Sequence, residues 1–220
     1  MFELPREPGV HHLEISDPPS QVTLSLPPDI YKETISTLVI ALHYAGPVMP
    51  FFGSSLLKDL IEPGLRELGA IIAAPDCQAG AWDNERSEAH ILELLDMLCS
   101  SYPIDRSSVL LTGYSIGGIG TWYIAGRNQD KFSAALPMAA NPPPWVTKTN
   151  WTLPIYVIHG LQDELFPIQA SRDVVTELRG QGVDITMVEV DPASHYETGR
   201  FYRPLRVAVP WIRNCWSNKE

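Results

Sequence analysis

Five short, almost continuously apolar runs constrain the fold of this chain most strongly: Leu38–Leu42, Ala70–Ala74, Val109–Thr112, Ala134–Met138 and Ile155–Ile158. A strand that is buried on both faces needs apolar residues at every position, which is the situation in a parallel sheet covered by helices. Segments 54–68 and 85–99 repeat leucine and isoleucine every three or four residues, and 171–178 is a shorter helix candidate that ends near Gly180, the candidate C-cap. This alternation predicts a doubly wound, mostly parallel α/β sheet with helices on both faces.

The beginning and end of the chain fit the same sheet. Residues 21–26 alternate apolar and polar side chains, which predicts a half-exposed antiparallel strand, and residues 185–190 form a further strand candidate. Residues 1–20 are expected to be an N-terminal extension or an edge strand. Because the sequence contains no long linker or insertion, we expect one domain over residues 1–220 without a lid domain.

Composition excludes several classes of protein. The 220 residues include 16 basic and 26 acidic side chains, and the net charge of −10 disfavours nucleic acid and stable membrane association as partners. The three cysteines do not form the pattern of a disulfide framework or a structural zinc site. Neither a signal peptide nor a membrane-spanning run is visible, so a cytoplasmic protein is expected. The sequence does not indicate an oligomeric state.

A candidate nucleophile lies just after the third apolar run. Residues Gly113–Gly117 read G-x-S-x-G between this run and a helix-like run at 119–125. A strand, a sharp turn and a helix are the context in which this pattern exposes a serine hydroxyl, whereas the alternative is an ordinary glycine-rich turn. Ser115 would then lie at a helix N-terminus, where the N–H of Ile116 is placed to stabilise an oxyanion. Ser115 is therefore the predicted nucleophile.

A serine nucleophile needs a base and an acid. Histidine is the side chain suited to accept the serine proton near neutral pH. With a nucleophile of this type the acid follows the serine in the chain and the histidine comes last. Only His159 and His195 follow Ser115, and only His195 leaves room for an acid before it. His195 is the predicted base. Asp163 and Glu164, which follow the apolar run 155–158, are the candidate acids, while Asp191 is a poorer candidate because it belongs to the same segment as the base.

Three blocks of the sequence carry a resemblance to a known superfamily: residues 102–137, residues 153–167 and the SHY around His195. They resemble the esterase branch of the α/β-hydrolases, in particular the phospholipase/carboxylesterase group and the feruloyl esterase and polyhydroxybutyrate depolymerase group. The first block has Asp105 in a turn, then the serine motif, then Phe132 before the next strand. The second block has the spacing H-G-x-x-D-x-x-x-P, which favours Asp163 as the acid. The resemblance implies the α/β-hydrolase fold.

The same resemblance suggests a second oxyanion donor. These enzymes commonly carry L-H-G-x-G after an early strand, whereas Leu42–Gly46 read LHYAG here. The resemblance implies that the N–H of Ala45 completes the oxyanion hole, and Tyr44, which replaces the first glycine, is the alternative donor. The Tyr44 side chain either narrows the acyl pocket or lies buried under the loop.

These residues predict a carboxylesterase that acts on short acyl or aryl esters through an acyl-enzyme. No metal or organic cofactor is needed, and the expected partner is a small-molecule ester. Segment 141–151 should overhang the cleft, and four aromatic residues are candidates for an apolar substrate pocket, with loop anchoring as the alternative: Phe51, Trp82, Trp145 and Trp151.

Other functions fit part of the same pattern. A thioesterase, a lysophospholipase or a peptidase would use the same three catalytic side chains. A hydrolase-like binding protein with a silent site is a candidate from a different class. The dehalogenases and dienelactone hydrolases of this fold carry Asp or Cys in place of the serine, so Ser115 disfavours both.

Overall fold

The protein is built around one eight-stranded sheet in a computed structural model that describes residues 4–16, 19–29, 36–47 and 49–217. In chain order the strands are β1 Gly9–Ser16, β2 Pro19–Leu26, β3 Ser36–Leu42, β4 Ile71–Pro75, β5 Ile104–Tyr114, β6 Ala134–Met138, β7 Ile155–Gly160 and β8 Ile185–Val190. Their order across the sheet is β1-β2-β4-β3-β5-β6-β7-β8. β2 pairs antiparallel with both β1 and β4, while all pairs from β4 to β8 across the sheet are parallel. The predicted doubly wound, mostly parallel sheet is therefore confirmed.

Helices cover both faces of this sheet. They are α1 Gly53–Leu56, α2 Glu62–Leu65, α3 Glu85–Ser101, α4 Ile116–Arg127, α5 Ile168–Gly180, α6 Tyr202–Val207 and α7 Val209–Ser217. Along β3, Leu38, Ile40 and Leu42 point into the core formed with α3, α4 and α5, while Val39 and Ala41 point into the core formed with α1, α2, α6 and α7. Since successive side chains of a strand face opposite sides, each apolar run serves two cores.

The five apolar runs all lie in parallel strands, and residues 185–190 form β8, as expected. The prediction for residues 21–26 was correct in strand direction but wrong in exposure. Val22, Thr23 and Leu24 are completely buried, because β2 lies between β1 and β4 rather than at the edge of the sheet. Residues 9–16 form the edge strand β1.

Two helix predictions need correction. Segment 54–68 is helical but not uniform, since a π-helical turn at Leu57–Ile61 joins α1 to α2 and a 3₁₀ turn follows at Arg66–Leu68. Pro63 in the first turn of α2 lacks the N–H that a regular helix would need there. Gly180 was predicted as a C-cap but is the last residue of α5, and the left-handed glycine lies two residues later, at Gly182 with φ 86°.

The long connections leave the carboxyl ends of the parallel strands accessible. Between β6 and β7, residues 139–154 contain one 3₁₀ turn, Val146–Lys148, and no inserted domain. Helices α6 and α7 follow β8, pack on the same face of the sheet as α1 and α2, and were not predicted from the sequence. No helix within the described ranges is long and apolar enough to cross a bilayer.

Candidate active site

The turn between β5 and α4 holds Ser115 in a strained backbone conformation. Its φ of 59° and ψ of −121° are rare for a residue with a side chain. A methyl group on Gly113 would approach the carbonyl oxygen of Gly117 to 2.3 Å, and one on Gly117 would approach that of Leu42 to 2.0 Å. The structure thus requires glycine at both positions. The Ser115 N–H donates to the carbonyl of Met138 (3.0 Å), which fixes the turn against β6.

The structure brings the three predicted side chains together. The Nδ1–H of His195 donates to Oδ2 of Asp163 (2.8 Å), and Nε2 of His195 lies 2.9 Å from Oγ of Ser115. Because an ionised carboxylate only accepts hydrogen bonds, Nδ1 carries the proton and Nε2 is free to accept the one on Oγ. The three residues are 5–7% exposed, so this chain of hydrogen bonds is shielded from water.

The turn that follows β7, residues 161–166, carries both candidate acids and is called the acid turn below. Oδ1 of Asp163 accepts the backbone N–H groups of Leu165 (3.0 Å) and Phe166 (2.7 Å), which leaves Oδ2 for the imidazole. Glu164 points elsewhere, and its Oε2 accepts the backbone N–H of His195 at 2.9 Å. Asp163 therefore contacts the imidazole. Glu164 instead positions the backbone of residues 191–197, the loop after β8 that carries His195 and is called the histidine loop below.

Close packing holds the acid turn against the histidine loop. A methyl group on Gly160 would lie 2.6 Å from the carbonyl oxygen of Ala193, so the two loops approach more closely than a side chain allows. Gln162 donates its N–H to that carbonyl (3.0 Å) and accepts the N–H of Ala193 through its side chain (2.8 Å). Beneath them, the hydroxyl of Tyr114 donates to the carbonyl of His195 (2.8 Å), and burial raises the pKa of this phenol. The sequence analysis did not identify Tyr114, although it directly precedes the nucleophile.

His159, the other histidine after Ser115, forms no hydrogen bond with Ser115 and has different partners from His195. It is completely buried, its Nε2–H donates to the carbonyl of Phe166 (2.7 Å), and its Nδ1 accepts the hydroxyl of Ser171 (3.0 Å). Burial lowers its pKa, which favours the neutral ring. His159 therefore anchors the turn that carries Asp163.

His43 organises the loop expected to provide the second oxyanion donor. Its Nδ1–H donates to the carbonyl of Tyr44 (2.7 Å), and its Nε2 accepts the N–H of Cys77 (3.0 Å). The Tyr44 carbonyl and the Ala45 N–H belong to one planar trans peptide and point in opposite directions. The bond from His43 therefore turns the Ala45 N–H away from the ring. Burial lowers the pKa of His43, so the ring is neutral and keeps both bonds.

Both expected oxyanion donors border a cleft of about 620 Å³. Ile116 is the first residue of α4, where backbone N–H groups have no partner inside the helix. The other lining residues are mostly small or apolar and include Pro47, Met49 and Phe52. The Tyr44 ring is not part of the lining and packs edge-on against Phe52 and Tyr114, with ring centroids 5.6 Å and 6.4 Å apart. This placement favours burial under the loop over narrowing of the pocket.

None of the four aromatic residues predicted to form a substrate pocket lines this cleft. Trp82 is buried and donates its indole N–H to the carbonyl of His43 (2.9 Å). Trp151 donates to the carbonyl of Val146 (2.9 Å) and packs against Trp122, while Trp145 packs against Tyr123. Phe51 stacks on His12 with ring centroids 4.4 Å apart. All four side chains anchor loops. The aromatic residue that lines the cleft is instead Phe52, which follows Phe51 in the chain.

Comparison with solved structures defines the class of fold. A thermostable esterase matches 93% of the chain over 62% of its own length with a TM-score of 0.76 and 20% identity. An S-formylglutathione hydrolase from Staphylococcus aureus matches 93% of the chain over 98% of its own length with a TM-score of 0.73 and 18% identity. The architecture is that of the α/β-hydrolases.

Sequence comparison defines the family. Residues 66–196 match the model of the dienelactone hydrolase family, and the chain belongs to that family. A probable feruloyl esterase C from Aspergillus niger is 26% identical over 179 residues, which cover 78% of this chain and 64% of that protein. The chain spans less than two thirds of the length of the curated relatives it matches.

Family membership corrects one inference from the sequence. Ser115 was taken to disfavour the dienelactone hydrolases, which were expected to carry cysteine at the nucleophile position. The matched region includes Ser115 and the strand–turn–helix around it. Because a strand–turn–helix of this kind can present a serine or a cysteine, Ser115 does not exclude membership of the family.

Proposed function

We propose that the protein is a serine hydrolase that cleaves small carboxylic esters through an acyl-enzyme. The observation that supports this most directly is the buried chain of hydrogen bonds from Ser115 through His195 to Asp163, with 2.9 Å and 2.8 Å between the heavy atoms. This is the geometry that a nucleophile, a base and an orienting acid need. The ester hydrolases among its relatives support the same reaction class.

The proposed reaction has two acyl-transfer steps. Nε2 of His195 takes the proton from Oγ of Ser115 while Oγ attacks the ester carbonyl carbon. The imidazolium then gives this proton to the leaving alcohol oxygen as the ester C–O bond breaks, and the acyl group stays on Ser115. In the second step a water molecule gives its proton to His195 and attacks the acyl-enzyme, which releases the acid and restores Ser115.

Two backbone N–H groups are proposed to stabilise the charge that develops on the carbonyl oxygen. Ile116 offers the first at the start of α4, and Ala45 offers the second from the peptide oriented by His43. Removal of one donor from such a site typically slows catalysis about 10²- to 10³-fold. Asp163 keeps the imidazole in the tautomer that accepts the serine proton and stabilises its charged form.

The experiment is a substrate panel with wild-type protein and Ser115→Ala. We expect the wild type to hydrolyse p-nitrophenyl esters of short acids faster than acyl thioesters or aminoacyl amides. Ser115→Ala should lower kcat by several orders of magnitude while the circular dichroism spectrum is unchanged. Unaltered ester hydrolysis in Ser115→Ala would refute the assignment, and faster cleavage of thioesters or amides would refute the substrate class.

A further inference from the structure

We propose that the side of the site next to His195 selects uncharged aryl or alkyl alcohols as leaving groups, with Tyr196 and Leu165 as specificity-determining residues. This inference rests on the proposed function and adds the alcohol half of the substrate to it. It follows from the direction in which the leaving group must lie and from the side chains found there.

The position of His195 determines where the alcohol lies. Its Nε2, 2.9 Å from Oγ of Ser115, must donate a proton to the leaving oxygen. Such a transfer needs the two heavy atoms within about 3 Å of each other. The rest of the alcohol therefore extends over the surface around the imidazole.

That surface carries exposed apolar side chains. The Tyr196 ring stands edge-on to the imidazole, with ring centroids 5.6 Å apart, and Tyr196 is 71% exposed. Leu165 is 51% exposed, and its backbone N–H is held by Asp163. The half-buried Phe166, next to Leu165 in the chain, has its ring centroid 5.3 Å from that of His195. A large apolar side chain gains little from exposure, so exposed Tyr196 and Leu165 on the two loops that carry His195 and Asp163 indicate contact with an apolar ligand.

The acyl group has a separate place. The cleft of about 620 Å³ borders Ala45 and Ile116, the proposed oxyanion donors, and contains no residue of the 163–166 turn or the histidine loop. At a tetrahedral carbon the oxyanion, the leaving oxygen and the acyl chain point in different directions. The acyl chain is therefore assigned to this cleft, and changes at Tyr196 or Leu165 should affect only the alcohol.

Charge around His195 disfavours anionic alcohols. Glu164 and Glu197 are both exposed and both bind backbone N–H groups of the histidine loop, those of His195 and Ser194. Glu197 also pairs with Arg200 (2.9 Å), whereas Glu164 forms no ion pair with any described residue. A leaving group with a sulfonate or phosphate would meet a repulsive field there.

The test compares leaving groups on a constant acetyl group. The ratio of kcat/KM for 2-naphthyl acetate to that for methyl acetate is measured in the wild type, Tyr196→Ala, Leu165→Ala and Tyr196→Phe. Tyr196→Ala should lower this ratio about three- to tenfold because an aromatic contact is lost. Leu165→Ala should lower it about threefold because apolar contact area is lost. Tyr196→Phe should retain the ratio, since the ring and not the hydroxyl makes the contact.

Two controls separate specificity from damage to the fold. The ratio of 2-naphthyl butanoate to 2-naphthyl acetate reports on the acyl cleft and should be unchanged in all variants. Val207→Ala, which shortens an apolar side chain that is 68% exposed on α6, should change neither ratio.

The effect of charge is tested separately. The wild type should hydrolyse a 2-naphthyl acetate bearing a remote sulfonate more slowly than the uncharged ester. That difference should shrink at about 1 M salt, where the screening length is about 3 Å.

The outcomes are distinct. An unchanged naphthyl-to-methyl ratio in both Tyr196→Ala and Leu165→Ala, or faster hydrolysis of the sulfonate ester, overturns this inference while ester hydrolysis itself stands. If the wild type hydrolyses none of the acetates, the proposed function fails and this inference fails with it.

Discussion

Replacement of Asp163 by asparagine tests the proposed role of the acid, because the structure dictates how the new amide must sit. Oδ1 of Asp163 accepts the backbone N–H groups of Leu165 (3.0 Å) and Phe166 (2.7 Å), and an NH₂ group there would leave both partly buried donors without this acceptor. Each such loss costs about 1–3 kcal/mol. The asparagine oxygen should therefore stay on the backbone side and its NH₂ group should face His195. Two N–H groups would then meet, so the imidazole must move its proton from Nδ1 to Nε2.

The size of the effect follows from this change of tautomer. With the proton on Nε2, His195 no longer accepts the Ser115 proton across the 2.9 Å contact, although the hydrogen-bonded geometry survives. A wrong tautomer of this kind costs about 10⁴ in kcat in a serine protease. Since each tenfold factor corresponds to about 1.36 kcal/mol, the expected increase in the activation free energy is about 4–5.5 kcal/mol for a 10³- to 10⁴-fold loss.

The assay is the kcat of p-nitrophenyl acetate hydrolysis, with Glu164→Gln as the matched control. The glutamine oxygen still accepts the backbone N–H of His195, so a loss of less than tenfold is expected there. Urea unfolding of both variants verifies that the fold is retained. A loss of less than tenfold in Asp163→Asn, or a larger loss in Glu164→Gln, would refute the assignment of the acid.

Three further predictions come from residues around the site and in the core. His43→Phe should lower kcat roughly 10- to 100-fold with little change in KM, because the peptide between Tyr44 and Ala45 loses its hydrogen bond and one oxyanion donor is misaligned. Gly117→Ala should destabilise the fold by at least about 2 kcal/mol, because its methyl group would lie 2.0 Å from a backbone oxygen. Burial lowers the pKa of His90 from 6.5, so as the pH falls below this value the unfolded chain takes up the proton first and stability decreases. His90→Gln should therefore lose less stability than the wild type between about pH 6.5 and 5, with a difference of at most about 1.4 kcal/mol per pH unit.

Each of these predictions has a clear contrary result. A rise in KM with normal kcat in His43→Phe would place the residue in substrate binding and not in orientation of the oxyanion loop. If Gly117→Ala were as stable as the wild type, the close approach of Gly117 to the carbonyl oxygen of Leu42, at the end of β3, would be contradicted. Identical pH dependence of unfolding in His90→Gln and the wild type would show that this histidine does not titrate differently in the folded and unfolded states.

The sequence allowed the central sheet to be predicted because burial on both faces leaves a local signal. Each apolar run is a strand whose every residue must be apolar, and the pattern does not depend on distant contacts. The burial of β2 could not be predicted from its own residues, because it depends on the neighbouring strand β1, which pairs with β2. Helices α6 and α7 were missed because they have only six and nine residues, and helices this short depend on tertiary packing rather than on local propensity.

The site shows the same division. The contact between Ser115, His195 and Asp163 could be predicted because their chain order and the glycines of the G-x-S-x-G turn are imposed by the fold. The roles of Trp82, Trp145 and Trp151 could not be predicted, since large aromatic residues serve equally well to line a pocket or to anchor loops, and only packing decides between the two roles. The supporting contacts, such as that from Tyr114 to His195, connect residues 81 positions apart and have no sequence signal of their own.

Peptide mapping by mass spectrometry after reaction with a fluorophosphonate tests the central claim most directly. We predict one covalent adduct, located on Ser115 in the wild type, and a reaction slowed by orders of magnitude in His195→Ala, because the hydroxyl then lacks its base. An adduct on another residue, or labelling of Ser115 at the same rate in His195→Ala, would contradict the proposed nucleophile and its activation.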